Sequence, residues 1–166
     1  MPQRDYIASN VKVKQKSVFN LDELYSVLWH WFEIHGYDFQ EHEYRDTKAA
    51  DGSNLEIRWY AEKKIDDYMK YVIEVTFFAL DYQKVEIEKE GGIKEKTGKG
   101  EIEIMMNAFI EKDYEDRWKG PVLLFLREVY DKYIIRKRIE ALEGELYDEL
   151  YRFIDEIKAF LNLHRF

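Results

Sequence analysis

The sequence predicts an α+β domain: a curved antiparallel sheet of about five strands, with one N-terminal helix and two long C-terminal helices or one kinked helix. Three observations carry this. Between Tyr37 and Tyr114 apolar residues recur with a period of two, not 3.6. A helical segment with a clear start signal precedes that run. Two apolar stripes at spacings of three and four follow it. The 166 residues, 46% of them hydrophobic, suit one domain over 1–166.

Residues 1–10 show no periodicity and read either as a frayed end or as an added sheet edge. Residues 11–18 alternate, with Val11 and Val13 on one side and Lys12, Lys14 and Lys16 on the other. The helix over 21–35 has Asn20 as N-cap, Glu23 three residues on, and Phe19 and Leu24 at the hydrophobic-staple positions. Its stripe is Leu21, Leu24, Tyr25, Leu28, Trp31 and Phe32, and Gly36 stands where a left-handed residue closes a helix.

From Tyr37 the period changes. Residues 37–47 read as a polar strand, 48–53 with Asp51-Gly52 as a turn, and 54–65 as a strand with Leu55, Ile57, Trp59 and Ala61 inward. After Asp66-Asp67, residues 69–88 and 93–112 form a long hairpin about Glu90-Gly91-Gly92, with a charged tip that should project into solvent. Near its base Tyr71, Ile73, Val75, Phe77 and Ala79 share one face, and Val72, Phe78 and Leu80 share the other. An apolar second face calls for a cover, either a helix or another subunit.

Gly120-Pro121 opens a helix over 121–135 whose stripe is Val122, Leu123, Phe125, Leu126, Val129, Tyr130, Tyr133 and Ile134. A second stripe runs from Ile139 to Leu161, and the phase slips near Ile135 to Lys137, where a kink or tight turn belongs.

Composition narrows the function classes. The net charge of −8 argues against nonspecific nucleic-acid binding. No apolar run approaches a membrane span and the first residues lack the apolar region of a secretory signal, so a cytoplasmic location is expected. Without cysteine there is no disulfide framework or thiolate zinc site, and the rich Lys and Glu content is thermophile-like. Residues 119–138 stand apart: Lys119, Arg127, Lys132, Arg136, Lys137 and Arg138 face only Glu128 and Asp131.

Four candidate sites emerge. His30 and His35 lie five apart, about 140° around a helix, so one ion cannot easily hold both, and no metal or cofactor is expected. The turn 113–118, with three acids and Arg117, reads as a catalytic or metal-binding corner, or more plainly as a salt-bridged turn; no catalytic residue is assigned. Arg136, Lys137 and Arg138 beside the 122–138 stripe suit an anionic group or peripheral membrane contact, against the plainer reading that they complement a helix end. Aromatic residues make up 16% of the chain, enough to line an apolar cavity.

The order β-α-β-β-β-β followed by the long helix Ile139–Leu161 resembles the helix-grip layout of the START and polyketide-cyclase superfamily. The resemblance rests on element order, with no residue motif matched, and the chain has fewer helices after the first strand, fewer strands and an extra helix at 121–135. It implies a hydrophobic-ligand cavity between sheet and helix. The leading expectation is therefore a non-catalytic binding protein for an apolar or aromatic small molecule, held by Trp59, Tyr71, Ile73, Phe77, Leu150 and Phe153. The alternatives are a module that self-associates as a homo-oligomer through the second face of the long hairpin, and an enzyme using the turn 113–118.

Overall fold

The computed structural model describes residues 2–50 and 52–163, so Asp51 of the expected 48–53 turn lies outside the described residues. Five strands, β1 (Gln3–Val18), β2 (Asp38–Ala49), β3 (Gly52–Lys64), β4 (Met69–Lys89) and β5 (Ile93–Lys112), form one open antiparallel sheet in the order β1-β5-β4-β3-β2. The three hairpins β2–β3, β3–β4 and β4–β5 build a meander. β1 then pairs with the far side of β5, and the helix α1 (Leu21–Ile34) carries the chain from that edge to the other.

The expected helix starts where its signals place it. Asn20 Oδ1 accepts the amide N–H groups of Asp22 at 3.0 Å and Glu23 at 3.3 Å, while Phe19 and Leu24 are both buried. Gly36, at φ +79°, supplies the left-handed turn that ends it. Residues 3–10 continue β1 as an edge strand. Their alternation is broken by bulges between Tyr6 and Val11, where Asn10 at φ +54° donates its N–H to Asn107 Oδ1 at 2.7 Å.

Helix α2 (Pro121–Val129) runs into a π-helical turn (Tyr130–Ile134), and α3 (Arg136–Leu163) follows. The expected break near 135–137 is thus one wide turn followed by a restart. Helices α1 and α3 pack side by side on one face of the sheet, α1 over β2 and β3, α3 over β1 and β5. Between helices and sheet lies the core: Leu24, Leu28 and Phe32 from α1, Leu146, Leu150, Phe153 and Ile157 from α3, and the inward residues of all the inner strands. Among the described residues no helix is long and apolar enough to cross a membrane.

Among the described residues no helix packs on the opposite face of the sheet. Its two apolar residues nearest the base, Val72 and Phe109, are nonetheless buried. Tyr6 places its ring 4.9 Å from that of Phe109, and the Arg4 guanidinium sits 4.8 Å above it. Cross-strand ion pairs, such as Lys70 to Glu62 at 2.7 Å and to Glu111 at 3.2 Å, fill in around them. The edge strand itself supplies much of the cover that the sequence calls for, while Phe78 is half-buried and Leu80 is exposed.

Candidate functional site

All six side chains expected to line a ligand cavity lie in the core. Trp59 packs edge-on against Phe77 at 4.7 Å and Tyr25 at 4.9 Å, and Phe153 rests 4.8 Å from Phe32 and 5.0 Å from Trp31. Four clefts, of about 580, 610, 460 and 350 Å³, open elsewhere on the molecule, and none is lined by any of the six. Tyr71 is the one polar member. Burial, and after it the carboxylate of Glu145, pushes its phenol well above the ordinary value.

Next to Tyr71 the structure assembles a polar cluster that periodicity could not reveal. Tyr37 donates its hydroxyl to Glu149 of α3, and Lys63 Nζ reaches the other oxygen of that carboxylate at 3.1 Å while lying 5.4 Å from the Tyr37 ring. The Tyr37 phenol is pushed far up, first by burial and then by its bond to Glu149. These groups satisfy one another and fix the helix to the sheet.

The expected anionic-group site is divided. Arg136 pairs with Glu140 at 3.0 Å and Arg138 with Asp66 at 2.7 Å; only Lys137 is left without an ion pair among the described residues. The turn 113–118 is built around Asp113, whose buried carboxylate accepts the N–H groups of Arg117 at 2.8 Å and Trp118 at 3.3 Å and pairs with Arg127 at 3.2 Å. Among the described residues no histidine joins it. His35 stacks on Trp31, His42 on Tyr60, and His30 sits beside Glu33 on the surface. Among the described residues no group of three His, Cys, Asp or Glu side chains could hold a metal ion.

The surface that stands out is α2. Its charged side faces the protein: Arg127 is held by Asp113, and Asp131 accepts the Tyr68 hydroxyl at 2.6 Å and pairs with Lys112 at 3.2 Å. Trp118 stacks on Tyr130 and Tyr68 meets it edge-on, with ring centroids 5.9 and 5.8 Å away. At about 100° per residue, Val122, Phe125, Leu126 and Val129 share one arc of the helix, and Arg127 points about 150° away from its centre. The apolar stripe is therefore turned outward. Val122, Phe125, Leu126, Tyr133 and Ile134 are between 46% and 72% exposed, with Leu123 at 42% on the flank of the stripe, against a buried Arg127.

This inversion is the opposite of how an amphipathic helix normally packs. Buried side chains of this size typically contribute about 1.5–3 kcal/mol each, so leaving six of them in water forgoes a large stabilisation. Exposed apolar patches of several hundred Å² mark contact surfaces. The π turn is part of the arrangement, since widening the helix by one residue keeps Tyr133 and Ile134 on the outward side while Asp131 still reaches Lys112.

Comparison with protein-family models, with curated proteins and with solved structures finds no match for this chain.

Proposed function

We propose that this protein is a non-catalytic interaction module that docks through the outward apolar stripe of α2 and the π turn. One observation supports this above the rest: Arg127 and Asp131 are paired inward while Val122, Phe125, Leu126, Tyr133 and Ile134 face solvent. The two ion-paired side chains, with Tyr130 packed against Trp118 and Tyr68, hold the helix from its inner side, which leaves the outward apolar residues available to a partner.

The double variant Phe125→Lys/Ile134→Lys tests the reading. Lysine is a good helix former, so the variant should keep its denaturation midpoint and elute much earlier from a hydrophobic-interaction column. A variant that loses several kcal/mol of stability would mean that the stripe belongs to the core, and the docking reading would fall.

An apolar ligand lodged between the sheet and α3 is a second reading, and it requires the Trp59–Phe77 and Phe32–Phe153 ring contacts to part. Native mass spectrometry of the purified protein tests it, and a bound apolar molecule would favour it.

A further inference from the structure

Resting on that docking reading, we propose that the occupant of the α2 stripe is a second copy of this chain, its α2 lying antiparallel to the first about a two-fold axis near Val129.

Charge decides against an anionic surface. Most cations around the stripe are already neutralised within the chain: Lys119 by Asp116 at 3.7 Å, Arg117 by Glu115, Arg136 by Glu140 and Arg138 by Asp66. What remains near it, Lys132 and Lys137 against Glu128, is close to balance. A lipid surface of negative charge needs a basic excess to attract a molecule whose net charge is −8. Two such molecules repel each other too, but least where the surface is nearly neutral and apolar, and that place is the stripe.

Shape and size point the same way. The stripe has a β-branched residue at each end, Val122 and Ile134, with Val129 near the centre. An antiparallel pairing sets Ile134 beside the partner's Val122 at both ends, and a closed two-fold contact uses the same patch twice. It also opposes the two helix dipoles, which a parallel pairing would align. The exposed part of the six side chains comes to on the order of 700 Å², the most these residues could bury, against the ~800 Å² per partner of a standard interface.

The absence of cysteine from the chain makes a direct test available. Sedimentation of the wild type should show the mass doubling between about 1 µM and about 100 µM, and Phe125→Lys/Ile134→Lys should stay monomeric with an unchanged denaturation midpoint. Under mild oxidation, Val122→Cys mixed with Ile134→Cys should give the mixed disulfide dimer, while neither variant alone should cross-link efficiently, because the two ends of the helix lie roughly 18 Å apart. A wild type that is monomeric at the highest concentration would overturn the inference, as would a dimer indifferent to the lysine variant, or a Val122→Cys protein that joins to itself. A monomeric wild type that instead binds vesicles of phosphatidylserine and phosphatidylcholine, and loses that binding in the double variant, would remove the second copy and leave the docking reading standing. An unfolded double variant would remove both.

Discussion

At the scale of single residues, the firmest local statement is the start of α1. Asn20 satisfies two N–H groups that the first turn cannot pair internally. Asn20→Ala should lower stability by about 1 kcal/mol in chemical denaturation; an unchanged midpoint would contradict the role given to that cap. Tyr37 gives a prediction in pH. Its folded pKa is raised by burial and by Glu149, so the neutral phenol is the form the fold favours. The contribution is fully present below the ordinary value of 10.0 and is lost as pH climbs above it towards the folded value. Tyr37→Phe should therefore cost about 1–2 kcal/mol at neutral pH, where Glu149 loses a donor, and should show a shallower fall in stability above pH 10.0. Urea midpoints measured from neutral to alkaline pH would check both halves.

At the scale of elements, what the sequence made legible and what it did not divide along a physical line. The boundaries of α1 and of the long hairpin could be read because their signals are local: Asn20, Phe19 and Gly36 for the helix, Gly91-Gly92 and strict alternation for the strands. The first part of β1 could not be read, because the bulges at Tyr6 to Val11 shift the register that alternation would have displayed. The direction of α2 was hidden for another reason. Periodicity shows that a helix has an apolar side but not where that side points. Here it is set by Asp113, Lys112 and Tyr68, which reach Arg127 and Asp131 from other elements. The outward stripe had one trace in the sequence, the placing of Arg127 and Asp131 four apart on the side opposite Val122, Phe125 and Leu126. For α3 the long apolar spacing was sufficient: Leu150 and Phe153 are fully buried, as the stripe implies. With aromatic rings of α1 packed on it, Phe153→Ala should cost roughly 3–5 kcal/mol. A loss below 2 kcal/mol in equilibrium unfolding would indicate space around the ring and would strengthen the ligand reading.

At the scale of the whole molecule, the two helices on the sheet and the one helix beyond it have different tasks. Helices α1 and α3 bury their apolar sides against the sheet and contribute to one core with it. Helix α2 sits at the end of the sheet away from the hairpin tip, tied down by charge on its inner side, and offers an apolar side to solvent. Docking through α2 requires that orientation. Hydroxyl-radical footprinting read by mass spectrometry measures it residue by residue. At low protein concentration Phe125 and Tyr133 should oxidise readily while Phe32 and Phe153 stay protected, and concentrating the protein should suppress the first pair alone. Protection of Phe125 and Tyr133 equal to that of Phe153 at every concentration would contradict the outward stripe, and with it the interaction module built on it.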